Sequence, residues 1–333
     1  MTGLRVSKDT TIPTYMGIRG LGGFIKWKIP GARKSVQWSR HAGETWGIDC
    51  SCLLYRANGA GLSALTVVAS LLVRMRRASV TPVVIFDGKT TDAKSEVVEQ
   101  RRAVRAETHK QLAELRTEIA TGELTILQTA DAEKRCADLQ KKAPVVTSSE
   151  KDALKKFLYA AGVLFVTASG EADDVLAYLC RQGYAQGVVS TDMDMLARGV
   201  PLLIVPETND SSVLTEIALG EVLSGLSLNY KQFVEACMLM GSDYSGKKWR
   251  SIEPRHAVEM ARRGIEWTTM DSSGSILTGI DILTGLHASW ELIMSPKQRE
   301  KWSAGSPAKE PENLATLAAA AGWPADWIAT LTQ

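Results

Sequence analysis

The chain has 333 residues, 39 Lys plus Arg against 37 Asp plus Glu, and an apolar fraction of 45%, which leaves room for one large α/β domain or a core with a smaller appendage. A net charge of +2 does not announce a polyanion partner, so any such signal has to come from how the charge is distributed. Five cysteines (Cys50, Cys52, Cys136, Cys180, Cys237) and four histidines offer no CxxC pair and no zinc-spaced cluster, which argues against a structural zinc and for a reducing, intracellular compartment.

In chain order, residues 1–15 (MTGLRVSKDTTIPTY) lack an apolar signal core and read as a loose extension. From Met16 the pattern predicts a short helix (GLGGFIKWK), a strand ending at TWGIDC, a helix over residues 60 to 77 and a strand TPVVIFDG. The longest apolar run, Ala64 to Val73, is about half of what a bilayer span needs and ends in RMRR, so a buried helix and no membrane are expected. Residues 90–143 change character: KSEVVEQRRAVRAETHKQLAEL is charged and helical with no strand pattern, an insertion standing away from the sheet. Thr147 and Glu150 then fit a capping box, with Gly162 as the helix stop. VLFVTA reads as a strand, EADDVLAYLCRQ as a helix and GVVS as another strand; beyond Gly220 the pattern is mostly helical to the end. Strand alternating with helix is the grammar of a parallel sheet.

In such a sheet, residues that directly follow the strands project into one crevice. Asp49 follows TWGI, Asp87 follows VVIF, Glu171 and Asp173 follow VLFVTASG, Asp192 and Asp194 follow GVVST, and GSDY offers Asp243. Taken singly, each could be a helix cap or a turn residue. Taken together, like charges within about 5 Å repel by several kcal/mol at an effective dielectric near 20, unless cations intervene. Oxygen ligands without His or Cys select Mg²⁺, with Mn²⁺ as the alternative. The surplus of carboxylates suggests two ions about 4 Å apart, suited to phosphodiester hydrolysis.

The ordered motifs MGIRGL (16–21), IDCSCLLY (48–55), VIFDGK (84–89), GEADD (170–174), STDMDML (190–196) and MGSDY (240–244) resemble the structure-specific 5′-nuclease superfamily of flap endonucleases, exonuclease 1 and the xeroderma pigmentosum group G nuclease. The resemblance covers about residues 16 to 260. It implies a PIN-like α/β parallel-sheet core (16–220) carrying a helical arch (90–143), and a mostly helical region (221–333) with a helix-two-turn-helix-like element at 241–263. It also implies that Asp49, Asp87, Glu171, Asp173, Asp192, Asp194 and Asp243 match the family's seven metal-binding carboxylates. Asp173 stands where Glu is usual.

Lys94 and Arg101 match the arch's catalytic basic pair, and seven residues place them two turns apart on one helix face; a solvated charged helix is the alternative. Arg102 and Arg105 follow as candidate nucleic-acid contacts, as does Gly17 of the MGI motif, which the family holds close to its active centre. Tyr55 matches an aromatic that stacks on a base, with a half-buried core tyrosine as the alternative. Lys247, Lys248, Arg250 and Arg255 match the element that grips duplex backbone.

The chain departs from the family where Ser251-Ile252-Glu253 replaces a glycine-flanked turn that binds K⁺; an acid there would repel phosphate. It also departs in the residues ahead of Met16, and in lacking the glutamine-led motif that docks relatives on a sliding clamp. Its C-terminal tryptophans are expected to pack a helical core. The expected activity is Mg²⁺-dependent cleavage of branched or flapped DNA by a monomer, in the nucleus, an organelle or another site of DNA replication. An RNA endonuclease of the same fold and a non-catalytic scaffold are the alternatives.

Overall fold

Alternating apolar side chains along the strands divide the core into two layers. Val83 and Ile85 join the cluster on one face of the sheet, Val84 and Phe86 the cluster on the other, as the two-residue strand period requires. The computed structural model describes residues 17–89, 92–206, 213–245, 249, 251–265, 275–285 and 289–332. Its elements are α1 (Leu21–Lys28), β1 (Arg33–Gln37), β2 (Thr45–Asp49), α2 (Cys50–Gly59), α3 (Ala64–Arg77), β3 (Thr81–Phe86), α4 (Asp92–Thr121), α5 (Ile126–Lys142), α6 (Ser148–Ala160), β4 (Leu164–Thr167), α7 (Ala172–Arg181), β5 (Gly187–Val189), α8 (Asp194–Ala197), β6 (Leu202–Val205), β7 (Val213–Ala218), α9 (Leu219–Leu226), α10 (Tyr230–Met240), α11 (Pro254–Arg263), α12 (Ser275–Thr284), α13 (Trp290–Ile293), α14 (Pro296–Ala304), α15 (Pro311–Ala321) and α16 (Ala325–Thr332).

The strands form one sheet in the order β1-β7-β6-β5-β2-β3-β4. β6, β5, β2, β3 and β4 are mutually parallel, whereas β7 runs antiparallel to both β6 and β1. The chain moves outward from β2 through β3 to β4 and then returns to β5 on the other side of β2. That reversal opens a crevice beyond the ends of β2 and β5, the place where open α/β sheets bind ligands. Close packing needs Gly47 in β2, because a Cβ there would lie 2.6 Å from Leu176 Cδ2 of α7.

The predicted capping box is present. Glu150 N–H donates to Thr147 Oγ1 (3.1 Å) and Thr147 N–H to a Glu150 carboxylate oxygen (2.7 Å), and Gly162 follows the helix end with φ +63°. The single helix expected over 60–77 is α3, which starts at Ala64 with Ser63 as its cap. α2 lies ahead of it because Asp49 caps a helix that begins directly at Cys50. β1, β6 and β7 have no counterpart in the sequence reading.

The charged insertion folds as a hairpin in which α4 packs on α5, with Leu112, Leu115 and Ala132 buried. The C-terminal helices reach both faces of the sheet: α10 and α11 join the α1–α7 side, α15 and α16 the α2–α3–α6 side. Trp323 meets Phe157 edge-on at 5.3 Å and, with Trp327, packs in this second layer, while Trp302 packs in the first. Trp267 and the Trp290 side chain lie outside the described residues. Edge strand β4 is covered where Ser169 N–H donates to Ile293 O (3.1 Å) and α14 packs alongside. Among the described residues no helix is long and apolar enough to cross a membrane.

Candidate active site at the strand ends

Asp49 ends β2 and caps α2, accepting from the Cys52 N–H at 3.1 Å. Its second oxygen accepts from the Ser190 hydroxyl at 2.8 Å, a bond that ties the end of β2 to the end of β5. The Ser190 oxygen in turn accepts the Asp192 N–H at 3.0 Å. Thr191 N–H donates to Cys52 Sγ at 3.1 Å, and burial pushes that thiol up to about 12, so it stays a neutral spacer. Burial, then the charges of Asp87 and Asp192, push the Asp49 carboxyl up to about 7 against the two hydrogen bonds that oppose them. Half-buried Asp87 and Asp192 therefore stand close enough to buried Asp49 for their charges to be felt there.

Asp87 follows β3 and accepts the Ala172 N–H at 2.9 Å, so it caps α7 from outside the helix. The two loops are held together by Gly88, whose N–H donates to Gly170 O at 2.7 Å. A Cβ on Gly88 would fall 2.0 Å from Ala168 O, so no other residue fits. Ala172 stands between Glu171 and Asp173, and this bond seats that acidic pair beside Asp87.

Asp192 Oδ1 accepts the Asp194 N–H at 2.8 Å, which bends the acidic pair into a tight turn leading into α8. Gly17, at φ +92°, lies directly over them: a Cβ would be 2.2 Å from Asp192 Oδ1 and 3.2 Å from Asp194 Oδ1. Arg19 N–H donates to Gly241 O at 3.0 Å and pins this segment to the end of α10. Asp243 sits in the turn after α10, one residue before Tyr244, whose hydroxyl donates to Glu171 Oε2 at 2.6 Å.

One residue at this centre has no counterpart in the sequence reading. Arg198 is 1% exposed. Its guanidinium donates to Glu171 Oε2 (3.1 Å) and to the Tyr244 oxygen (2.6 Å), pairs with Asp174, and lies 3.8 Å from Asp173 Oδ2. Burial opposes its charge. Tyr244, Asp173, Asp174 and Glu171 outweigh that and hold its pKa well above the ordinary value. The signal was a lone Arg inside MLARGVPLLIV, a run too apolar for a surface loop.

Lys94 and Arg101 both lie in α4, but their side chains are outside the described residues. Arg102 is exposed, and the Arg105 guanidinium stacks 5.3 Å from the centroid of half-buried Tyr55, so two expected nucleic-acid contacts touch each other where the hairpin meets α2. Arg255 is exposed in the first turn of α11, whereas Lys247, Lys248 and Arg250 lie outside the described residues. The 251–253 turn packs on α10, with Ile252 N–H donating to Leu239 O at 2.8 Å, and it leaves Glu253 exposed at the N-cap of α11.

The donor chemistry fits a hard divalent cation: oxygen ligands, and a carboxyl at Asp49 that burial first and the Asp87 charge second push up to about 7. Among the described residues no group of three or more His, Cys, Asp or Glu side chains is placed to hold a metal ion as the side chains stand. Asp49 is tied to Ser190, whereas Glu171, Asp173 and Asp174 are engaged with Arg198.

The XPG N-terminal domain model matches residues 16–108 and the XPG I-region model residues 162–243, together more than half of the chain. Flap endonuclease 1 of Bos taurus is 30% identical over 265 residues, 74% of this chain and 66% of its own length. That of Babesia bovis is 28% identical over 305 residues, 86% of this chain and 42% of its own. The chain thus spans between about two-fifths and two-thirds of the length of these relatives. Among solved structures, flap endonuclease-1 from Methanococcus jannaschii superposes with a TM-score of 0.62 at 18% identity, covering 90% of this chain and 95% of that one. The catalytic core of Rad2 in complex with DNA substrate gives 0.61 at 17% identity, covering 95% and 98%. Both matched domains carry the strand-end carboxylates described above, and the chain belongs to the XPG family of nucleases that includes the flap endonucleases.

Proposed function

We propose that this chain is a divalent-metal-dependent, structure-specific 5′-nuclease that hydrolyses phosphodiester bonds of branched DNA, acting as a monomer where DNA is replicated or repaired. The observation that carries this is the crowding of Asp49, Asp87 and Asp192 at the β2/β5 reversal, with Asp49 raised to about 7. A PIN-like core over 16–220 supplies the centre, and the helical region 221–333 carries the duplex-gripping element.

Asp49, Asp87, Glu171, Asp173, Asp192, Asp194 and Asp243 would hold Mg²⁺ or Mn²⁺, in the two-ion arrangement their number suggests. Such ions supply an activated water and offset charge on the leaving oxygen. The chain's own residues do the rest. Gly17 closes over Asp192 and Asp194 with bare backbone, which brings the main chain next to the centre without a side chain in the way. Lys94 and Arg101 of α4 are the candidates to offset charge developing on the scissile phosphate. The Tyr55–Arg105 stack gives a flat, positively charged platform for a base and its phosphate. Arg255, together with Lys247, Lys248 and Arg250, would contact duplex backbone.

A second reading, an RNA endonuclease of the same fold, is favoured by Glu253, which puts a negative charge at the α11 N-terminus where a duplex phosphate would otherwise be welcome. Incubating the protein with 5′-flap, gapped, bubble and single-stranded RNA substrates, with Mg²⁺ and with chelator, separates the readings on one gel. Cleavage of the flap alone and only with Mg²⁺ is expected. Cleavage of RNA alone would select the second reading, and no cleavage of any substrate would leave a scaffold role.

A further inference from the structure

The C-terminal helices bring a second set of charged groups to the sheet. Phe86 at the end of β3 and Phe165 in β4 meet edge-on at 6.0 Å. Lys155 of α6 lies over the first ring, with Nζ 5.2 Å from its centroid, and Lys301 of α14 lies over the second at 3.2 Å. Both lysines are half-buried, and among the described residues no acid pairs with either. Burial first, then the Lys155 charge, lowers the Lys301 pKa from its ordinary value, so the two ammonium groups are near neighbours. Lysine ordinarily carries its charge out to water, and two like charges seated together on apolar rings are a poor way to dock a helix. An aromatic face, however, fixes an ammonium without neutralising it, and the N–H donors turned away from the ring stay available. The arrangement suits an anion held by both lysines.

A cleft of about 530 Å³ opens between α6 and α15, and Lys155 lines it together with Lys156, Tyr159 and Leu317. Tyr159 is 47% exposed. An acid in the wall, Glu310, accepts the Asn313 amide at 2.6 Å, which leaves the α6 side of the cleft positive. An anion site that opens onto an exposed aromatic ring and an aliphatic wall matches a nucleotide: the phosphate takes the lysines and the base lies against Tyr159. A paired base reaches such a cleft only by leaving its stack, so a single strand is the ligand that fits. Cys50, the residue after Asp49, ties this place to the strand-end crevice. Burial holds its thiol well above the ordinary value, the charges of Asp49 and Asp87 add to that, and those of Lys151 and Lys155 oppose it. Lys151 stands one turn before Lys155 on the same face of α6. We propose that Lys155, Lys301 and the α6–α15 cleft form a subsite for single-stranded DNA, with one phosphate held by the two lysines and one base against Tyr159. The proposal rests on the nuclease reading for the class of its ligand and adds where an unpaired strand is held.

Fluorescence anisotropy of the full chain with a labelled oligothymidylate of about ten nucleotides, in chelator so that no strand is cut, tests it without reference to activity. A blunt duplex of equal length is the control. Lys155→Met and Lys301→Met keep the side-chain bulk over the rings and remove the charge. Each should weaken oligothymidylate binding about fivefold at low salt and make its salt dependence shallower, by roughly 0.7 in log–log slope for a lost phosphate contact. Lys301→Arg, which keeps the charge, should bind as the wild type does. Tyr159→Ala should weaken binding about fivefold with the slope unchanged, because a stacked base carries no charge. Duplex affinity should not move in any of the four. Lysines that serve only to dock α14 would lower the melting temperature in the Met variants and leave affinity and slope where they were, which overturns the proposal. Equal weakening of duplex and oligothymidylate would overturn it too, as would inorganic phosphate displacing the strand no better from the wild type than from Lys155→Met. Should the Met variants not fold, Tyr159→Ala on the surface decides it. A wild type that binds the duplex but not the oligothymidylate would sink the subsite alone, whereas one that binds neither would sink the nuclease reading with it.

Discussion

The two ends of β2 both carry buried charge, and they treat it differently. Ahead of the strand, His41 lies between Glu44 (Nδ1 to Oε2, 2.9 Å) and Glu216 (Nε2 to Oε2, 3.0 Å) and packs against the rings of Trp38 and Trp46. Glu44 also accepts the Trp46 indole N–H at 2.9 Å, and Arg40 stands 4.0 Å from Glu216. Glu44 accepts from the Trp46 indole and faces His41, and Glu216 stands beside two basic groups, so the acids at that end are met from within the fold. Beyond the strand, Asp49, Asp87 and Asp192 repel one another, and three further acids crowd Arg198. The difference teaches how to separate structural from functional charge. Charge kept for stability is balanced within the fold, whereas the mutual repulsion felt at Asp49 leaves, on the nuclease reading, work for a bound cation to do.

That contrast is broken most directly by neutralising one acid at each end. Asp192→Asn should lower flap cleavage on the order of a thousandfold or more while leaving flap binding within about twofold, because on the nuclease reading the lost carboxylate would hold an ion at the reacting phosphate and does not itself grip the DNA. Glu216→Ala should do the reverse. It removes the buried carboxylate beside His41 Nε2 and leaves the ring only Glu44, so a loss of about 1 to 3 kcal/mol in unfolding free energy is expected, with the cleavage rate per folded molecule unchanged. If Asp192→Asn cleaves at the wild-type rate, the surplus at the far end is not catalytic; if Glu216→Ala alters the rate without altering stability, the near end is not structural.

The pH dependence sharpens the same point. Asp49 is pushed up to about 7, first by burial and then by Asp87, from an ordinary value of 3.8. Its carboxyl therefore favours the fold in its protonated form. In metal-free protein that contribution is complete below about pH 4 and is lost as pH rises through 7, amounting to at most about 4 kcal/mol. Chemical denaturation at pH 5 and pH 8 with chelator should show the decline. Mg²⁺ should remove most of it by stabilising the ionised form, and Asp49→Asn should flatten it without metal. An equal slope in Asp49→Asn would mean that the strain resides elsewhere.

The gathering of acids beyond the strands was largely legible in the sequence because one geometric rule, that residues after parallel strands share a crevice, brings Asp49, Asp87, Glu171 and Asp192 together without any knowledge of side-chain contacts. Arg198 escaped that rule because it follows a one-turn helix instead of a strand, and its partner Asp174 had a sufficient local explanation at the α7 N-terminus. The near end was illegible for a different reason. β1 is RKSVQ, polar enough to pass for a loop, and β7 carries Glu216 toward the interior, where alternation predicts an apolar residue. Both depend on a long-range antiparallel pairing, Arg33 opposite Ile217 through Gln37 opposite Val213, that no local pattern encodes.

The smallest expected effect concerns a third acid, Glu253, which belongs to neither end of β2. It stands at the N-cap of α11 with its side chain 54% exposed, makes no cap hydrogen bond, and lies 3.6 Å from His256. An acid there stabilises the helix by about 0.3 to 1 kcal/mol through the dipole, and it occupies the place a duplex phosphate would take. By the logic of the comparison this is charge balanced within the fold, and so a brake on DNA binding instead of a part of it. Glu253→Ser replaces the dipole interaction with a hydroxyl cap of similar worth, so stability should hold. Duplex affinity, read by fluorescence anisotropy over a range of salt concentrations, should rise about threefold with a steeper salt dependence. The cleavage rate of bound flap should not move, since α11 does not carry the strand-end carboxylates. Unchanged affinity in Glu253→Ser would show that the α11 N-terminus does not face the duplex, and the weaker, altered grip expected from the Ser251-Ile252-Glu253 turn would need another cause.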